Sequence, residues 1–293
     1  MKIAILSRNP KLYTTKRLYE SALARQHTAF ILDVRQANRW AGFNSKVIRP
    51  GSLFQALIPR IGISATAAGL RVIRQLETTP IITTASSWGI AHSRDKWQSL
   101  LLLQSANLPT PQTVAITQPT QLAAALDELG QWPIIVKIPQ GTQGQGVFLA
   151  QDKKAAQTLV NSLLKFRQKP VLLQEYIAEA QGRDLRFLVV GNRCLATMQR
   201  IAPHHDFRAN VHRGASTLPF TPDELTAHLA TKAAQIHRLA VAGVDIIQST
   251  RGPLILEVNS SPGLEGIERT TQVDIAGQII HFLEQQDARM NSD

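Results

Sequence analysis

The run Leu254-Ile255-Leu256-Glu257-Val258-Asn259, with Asp245 upstream, sets hard oxygen donors inside otherwise apolar segments. A strand repeats every two residues, so Glu257 and Asn259 would share one face and Leu254, Leu256 and Val258 the other. A carboxylate and an amide oxygen pointing together, joined by Asp245 from a neighbouring strand, would form an all-oxygen site. That donor set suits Mg²⁺, which shares its shell with substrate phosphates. The competing reading is a surface Glu before a turn-forming Asn. Asp245, itself in an apolar strand, weighs against it.

A second group of residues could handle the phosphates. Gly141-Thr142-Gln143-Gly144-Gln145-Gly146 carries three glycines in six residues, so its backbone amides lie open to a phosphate. It joins two strands and has no Gly-Lys-Ser/Thr, so it is neither a dinucleotide fingerprint nor a Walker loop. Just before it, Lys137 sits among Ile134, Ile135, Val136 and Ile138, where an unpaired ammonium would be costly. A strand lysine there can meet phosphate oxygens; one snorkelling from an edge strand is the alternative. Gln174-Glu175-Tyr176-Ile177 ends a strand, where backbone groups can read an adenine edge. Arg183, Arg186, Arg200, Arg208 and Arg213, with Asp184 and Asn210 among them, could grip carboxylates or a transferring phosphoryl group.

The elements that must position these groups alternate. Lys2 to Leu6, Phe30 to Leu32, Ala56 to Ile58 and Ile81-Ile82 read as strands. Helices intervene, from Thr14 or Thr15 (as caps) to about Arg25 and over Ser64 to Leu76. That alternation predicts a parallel α/β sheet. A helix over about Asp95 to Ser105 leads to a linker at Pro109 and Pro111. An α+β unit follows: helix Thr120 to Leu129, strands Pro133 to Ile138 and Val147 to Ala150, helix Ala155 to Leu164, strand Val171 to Gln174. Strands Leu185 to Val190 and Cys194 to Gln199 come next, then a helix from Pro222 to about Leu239. Strands Val244 to Ile247 and Leu254 to Val258 and a helix Asp274 to Glu284 complete the pattern.

Composition bounds the rest. The chain has 293 residues, 44% hydrophobic and 18% charged, which excludes a disordered protein. No apolar run is long enough to span a membrane. The single Cys194 excludes a disulfide framework and thiolate metal sites and fits a reducing cytoplasm; its strand setting reads as core. The net charge of +11 is uneven: residues 1–92 and Ser93 together hold 13 basic and 3 acidic side chains. A module so basic points to a polyanionic partner.

Taken in order, these signals resemble the ATP-grasp superfamily and, more closely, the RimK-type glutamate ligases. The resemblance rests on Pro59-Arg60-Ile61-Gly62, Ser93-Arg94-Asp95-Lys96, Val136-Lys137, Gly141 to Gly144, Gln174 to Ile177 and Asp206-Phe207-Arg208-Ala209-Asn210-Val211-His212-Arg213-Gly214. It continues in Ala242-Gly243-Val244-Asp245 and Glu257 to Glu268, and runs from Met1 to the last helix. It implies an α/β (α+β) ATP-grasp fold in three parts. These are a basic N-terminal pre-ATP-grasp domain (1–93), a central lobe with the glycine-rich lid (94–177) and a C-terminal lobe with the metal site (178–293).

The same resemblance implies Lys96, Lys137, Gly141 and Gly144 on ATP phosphates, Glu175 and Tyr176 around the adenine, and Asp184 on the ribose. It sets Arg186, Arg208 and Asn210 beside the transferring phosphate. Asp245, Glu257 and Asn259 would hold two Mg²⁺, with Mn²⁺ able to substitute, and Arg60, Arg200 and Arg213 would meet substrate. The implied activity adds L-glutamate, through an acyl phosphate, to a C-terminal glutamate of a small-subunit ribosomal protein or to a growing α-linked polyglutamate. A cytoplasmic enzyme, a homo-oligomer (a tetramer in relatives) and contact with the ribosome are implied with it. Two stretches near the expected acceptor path depart from the family. Thr84-Ala85-Ser86-Ser87 replaces a more acidic, Asn-containing run, and Ala202-Pro203-His204-His205 a lysine-rich turn.

Two other functions compete. One is the same chemistry on another acceptor or amino donor: a small molecule, a cofactor or a carrier protein. The other is a non-catalytic ribosome- or RNA-binding protein, which the charge favours but the 16 aromatic residues, not interleaved with the basic ones, do not. His204, His205 and His212 read equally as proton acceptors for an amine or as surface residues. The basic surface itself, with Arg17, Arg35, Arg39 and Arg49, is expected to dock an acidic acceptor first and ribosomal RNA second.

Overall fold

The computed structural model describes residues 1–35, 54–141, 146–166, 169–204, 206–209, 211 and 214–292. Its N-terminal part is a parallel sheet in the order β2-β1-β3-β4, made of β1 (Lys2–Leu6), β2 (Thr28–Leu32), β3 (Ala56–Pro59) and β4 (Ile82–Thr83). Buried Ile3, Ala4, Ile5 and Leu6 explain why β1 takes the centre: a strand covered on both faces reads as continuously apolar. Helix α1 (Tyr13–Ala24) follows β1, but neither threonine caps it. Thr14 Oγ1 accepts from the Leu264 amide at 3.0 Å and Thr15 Oγ1 meets Ser7 Oγ at 3.0 Å, so long-range partners take both hydroxyls. Helix α2 (Thr66–Leu76) packs against α3 (Ser87–Ser93), a helix not anticipated; Ser86 caps it through the Gly89 amide at 2.9 Å.

Helix α4 (Lys96–Ser105) is capped by Asp95 and leads to an antiparallel sheet ordered β5-β8-β6-β7. Its strands are β5 (Thr113–Ile116), β6 (Ile134–Lys137), β7 (Val147–Ala150) and β8 (Val171–Glu175), covered by α5 (Leu122–Leu129) and α6 (Lys153–Phe166). The pairing of Lys137 with Val147 makes β6 and β7 the expected hairpin. At its described end, Gly146 has φ +73° and a Cβ there would run into Ile138, so the position requires glycine.

A five-stranded antiparallel sheet completes the chain in the order β11-β10-β9-β12-β13. It comprises β9 (Arg183–Val190), β10 (Arg193–Ile201), β11 (Ser216–Pro219), β12 (Val241–Ser249) and β13 (Gly252–Asn259). Helix α7 (Glu224–Ile236) packs on this sheet, and its cap is Asp223, accepting from the Thr226 amide at 2.7 Å, so Pro222 precedes the helix and does not open it. Helices α8 (Glu265–Thr271), not anticipated, and α9 (Ile275–Met290) follow.

The strict alternation expected for β13 fails at one point. Asp245 pairs with Glu257 but Ile246 pairs with Ile255, leaving Leu256 as the extra residue of a β-bulge. Ile255 therefore joins Val258 in the core, while Leu254 packs with Ile177 and Ala180 in a separate cluster. Glu257 and Asn259 keep their common side.

Candidate active site

Next to the bulge, Ile255, Leu256 and Glu257 line a cleft between β13 and the β5-β8-β6-β7 sheet. Lys96, Ser99, Lys137, Leu172 and Gln174 are among its other lining residues. Lys96 is positioned by the start of α4: Asp95 Oδ1 accepts from the amides of Trp97 and Gln98 at 3.1 and 3.2 Å, and the Lys96 amide donates to Pro139 O at 2.8 Å. The Lys96 ammonium donates to Gly141 O at 3.0 Å and lies 4.0 Å from Glu257 Oε2. Lys137 Nζ donates to Gln174 Oε1 at 2.5 Å, and Gln174 in turn donates to Thr113 Oγ1 at 2.8 Å. Burial, then the neighbouring Lys96 charge, pushes Lys137 down to about 8 against the pull of Glu257. Two ammonium groups facing one carboxylate leave an excess of positive charge suited to a polyphosphate.

Beyond the cleft, four charged side chains form a ladder across three strands. Asp184 and Arg186, two apart on β9, face Arg200 of β10 and Asp245 of β12, their register partners. Arg200 Nε and Nη2 donate to Asp184 at 2.6 and 2.7 Å, and Arg200 Nη2 lies 2.9 Å from Asp245 Oδ2. Arg186 grips both Asp245 oxygens, Oδ1 through Nε and Oδ2 through Nη2 at 2.8 Å. These side chains are 8 to 13% exposed. Burial alone would raise Asp245, but Arg186 and Arg200 hold it at about 2. Gly243 belongs to this arrangement: a Cβ there would sit 2.9 Å from Pro262 and 3.2 Å from Arg186 Nη1.

The remaining candidates divide. Glu175 does not line the lysine cleft; its carboxylate accepts from the Gln112 amide at 2.7 Å and from Arg251 Nη2 at 2.5 Å, tying β8 to the turn between β12 and β13. Tyr176 O accepts from Gln131 Nε2 at 3.1 Å and its ring meets Phe207 edge-on at 6.5 Å. Arg208 holds Asp206 at 2.8 and 3.0 Å and reaches Val147 O of β7 at 3.3 Å. Asn259 Oδ1 accepts from the Ser261 amide at 2.9 Å and so shapes the loop beyond β13. Arg60 lies beside that loop, in a second cleft away from the lysines. Gly144, Asn210 and Arg213 lie outside the described residues, as do His205, His212, Arg39 and Arg49. His204 is exposed, and burial pushes the Cys194 thiol up, the behaviour of a packing residue.

Of the arginines expected to dock an acceptor, the two described ones each hold a carboxylate of this chain. Arg17 pairs with Glu268 at 3.3 Å and Asp274 at 2.8 Å, and Arg35 with Asp33 at 2.6 Å. Gln174, Ser260 and Arg251 received no individual role in the sequence reading. Strand parity could have found Gln174, which stands opposite Ile135 on a strand next to Lys137.

A model of the RimK-like ATP-grasp domain matches residues 93–283, and one of the RimK pre-ATP-grasp domain matches residues 1–90. A Coxiella burnetii protein named "Probable alpha-L-glutamate ligase" is 44% identical over 290 residues, covering 97% of this chain and 95% of its own. A Rhodopirellula baltica protein of the same name is 41% identical over 293 residues, 98% of this chain and 71% of its own. The crystal structure of a RimK-domain ATP-grasp protein from Sphaerobacter thermophilus superposes with a TM-score of 0.74 at 20% identity, over 96% of this chain and 99% of that one. The ATP-grasp ligase PsnB, complexed with minimal precursor, Mg and ADP, superposes at 0.73 with 18% identity, over 98% of each chain. Among the described residues no helix is long and apolar enough to cross a membrane. The chain belongs to the RimK-like ATP-grasp family and is an ADP-forming ligase that makes C–N bonds.

Proposed function

We propose that this protein joins L-glutamate, through its α-amine, to the terminal carboxylate of an acidic acceptor, either the C-terminal glutamate of a small-subunit ribosomal protein or a growing α-linked polyglutamate. One observation carries the reading: Lys96, Lys137 and Glu257, far apart in sequence, meet in one cleft. Relatives above 40% identity are named for glutamate ligation, and the basic N-terminal module suits an anionic acceptor.

Lys96 and Lys137 would hold the ATP phosphates, and the β6–β7 hairpin would cover them and exclude water from an acyl phosphate. Asp245, Glu257 and Asn259 supply only hard oxygens, the donor type that suits Mg²⁺ or Mn²⁺, with Asp245 and Glu257 in cross-strand register; to hold two ions, Asp245 would give up part of its guanidinium contacts. When bound, such ions supply charge neutralisation at the phosphates. Arg186 orients Asp245, while Arg208 reaches from the C-terminal lobe to β7 and would stand beside the transferring phosphate. The protein's contribution is placement and charge, which phosphoryl transfer mainly needs.

The test is direct. With ATP, Mg²⁺ and L-glutamate, ADP release should require both glutamate and an acidic peptide, and mass spectrometry should show the peptide extended by glutamyl residues. ADP release that follows another amino acid, or extension absent from every acidic peptide and ribosomal protein offered, would overturn the assignment.

A further inference from the structure

Helix α4 presents Lys96 to the lysine cleft, yet its apolar residues do not say which way round it should sit. Leu100, Leu101, Leu102 and Leu103 follow one another, and at about 100° per residue four leucines cover the whole circumference. Such a helix has no single apolar stripe to turn inward, and apolar packing is not directional. Leu100 and Leu103 are nevertheless buried while Leu101 is 41% exposed, so another contact selects this rotation. Ser99, 5% exposed, supplies a directional one: its hydroxyl meets His237 Nε2 at 2.8 Å, 138 positions along the chain.

His237 is itself held firmly. It closes α7, is fully buried, and its Nδ1 lies 2.8 Å from Ala233 O. A carbonyl only accepts, so Nδ1 carries the proton, and the Nε2 lone pair accepts from the Ser99 hydroxyl. Burial pushes the imidazole below its ordinary range, against the pull of the Ala233 carbonyl and with a smaller push from His92, and so favours this neutral form. The backbone that follows is braced by the N-terminal part. Arg238 has φ +53°, its carbonyl accepts from Ser86 Oγ at 3.3 Å, and its guanidinium lies 4.7 Å from the centre of the Trp88 ring. Leu239 bridges to Ala85, and the Val241 amide donates to Thr84 O at 3.0 Å. A Cβ on Gly89 would strike the His237 carbonyl, so α3 lies directly against this corner.

Ser99 stands three residues after Lys96, one turn along the same side of α4, and both line the cleft. The Asp95 cap and the Lys96 amide tie the first turn of α4 to its own segment and to Pro139. The Ser99 bond ties it to the C-terminal lobe, which carries Glu257, the carboxylate 4.0 Å from the Lys96 ammonium. Turning α4 by one leucine would swing Lys96 about 100° away from that carboxylate. We infer that His237 is a positioning residue for the ligase reaction: through its hydrogen bond to Ser99 it fixes the rotation of α4 and so aims Lys96 into the cleft. The inference rests on the proposed phosphate role of Lys96 and not on the identity of the acceptor.

The experiment measures the Kd of ATP with Mg²⁺ by titration calorimetry, without glutamate, in wild type, Lys96→Ala, Ser99→Ala and the double variant, each shown to be folded by its melting transition. Ser99→Ala should bind ATP about 10-fold more weakly than wild type, the loss of one hydrogen bond's worth of placement. In Lys96→Ala, where the cation is gone, removing the Ser99 hydroxyl should cost no further affinity. His237→Leu should match Ser99→Ala, whereas His237→Gln, whose amide oxygen can accept from Ser99, should bind nearly as wild type does. Two results overturn the inference. One is unchanged ATP affinity in Ser99→Ala while Lys96→Ala binds weakly. The other is an equal loss from Ser99→Ala whether or not Lys96 is present, the mark of a bond that does not act through Lys96. Should His237→Leu fail to fold, Ser99→Ala, which deletes a single oxygen, decides. If Lys96→Ala binds ATP as wild type does, the phosphate role of Lys96 falls and takes the inference with it. Because glutamate is left out, a failure of glutamate ligation leaves this result standing.

Discussion

The sheet carrying Lys137 buries Ile116, Ile134 and Leu173 among residues of its own segment, whereas the N-terminal sheet and the C-terminal lobe bury theirs in each other. Leu6, Ile61 and Ile73 share one cluster with Phe187, Ala233 and Val258; Ile3 and Leu18 share another with Leu188, Ile279 and Leu283. Helix α4 sends Leu103 into the first of these, so Lys96 stands on the fused side and Lys137 on the autonomous side. Between the two sides run a small apolar cluster, Ile177 with Leu254, and polar contacts: Ile255 N to Pro109 O at 2.8 Å, Arg251 to Glu175, Arg208 to Val147 O and Lys96 to Glu257. Opening the cleft would break such contacts at about 1 kcal/mol each. Parting the fused pair would expose apolar core at about 25 cal/mol per Å². A ligand that bridges the two lysines therefore closes the side that moves most cheaply.

The largest effect should come from breaking that bridge. Lys137→Ala and Glu257→Ala, one on each side, should each lower glutamate-dependent ADP formation by about 10³-fold or more, because a charge aimed at the reacting phosphate has no substitute. Full activity in either variant, measured by a coupled ADP assay, would dissolve the assignment. Arg200→Met comes next. It leaves Asp184 without its partner and Asp245 with Arg186 alone, at a cost of about 3–5 kcal/mol in a urea titration. Amide protection should fall in β9, β10 and β12 and persist in β6 and β8; equal loss in both would show that the two regions unfold as one.

How legible this was depends on whether a residue's partner is near in sequence. Lys137 declared itself, because an ammonium among four apolar neighbours has few reasons to be there. Glu257 and Asn259 were placed on one side by parity alone, and the parallel N-terminal sheet followed from alternation. The bulge at Leu256 left no trace, since an inserted leucine in an apolar strand looks like any other. Nor did Thr14, whose acceptor role is decided by Leu264, 250 residues away. The arginine ladder was visible as residue types but not as pairs. Asp184, Arg186, Arg200 and Asp245 satisfy one another only because β10 and β12 flank β9. Strand β11 is mostly exposed and helix α3 contains Gly89, so neither offered an apolar period to read.

Alkaline pH should act on the autonomous side. Lys137 titrates near 8 in the folded protein against 10.5 when free, so between those values the unfolded chain binds more protons. Stability should therefore rise with pH through that window, by about 1–3 kcal/mol at most. In Lys137→Met the rise should vanish, and the β6 and β8 amides should be the ones that report it. A slope that survives the substitution would assign the effect elsewhere.

Acid should act on the fused side, and more weakly. Helix α9 holds α1 through Glu284, which accepts from Arg25 at 2.9 and 2.5 Å and contacts His27 at 2.8 Å. Arg25, and after it His281 and His27, bring Glu284 down to about 2 against the opposing effect of burial. A depressed carboxyl contributes stability that is complete above about 4.5 and lost as pH falls towards 2. Arg25 is more than a third exposed, so screening limits the worth of the cluster to about 1 kcal/mol or less. Melting curves of wild type and Glu284→Gln should differ most above pH 5 and converge only as pH falls towards 2, with the converging signal in α1 and α9 and not in the central sheet. Convergence in the central sheet as well would mean that the polar joins across the cleft couple the two regions more tightly than their separate cores require.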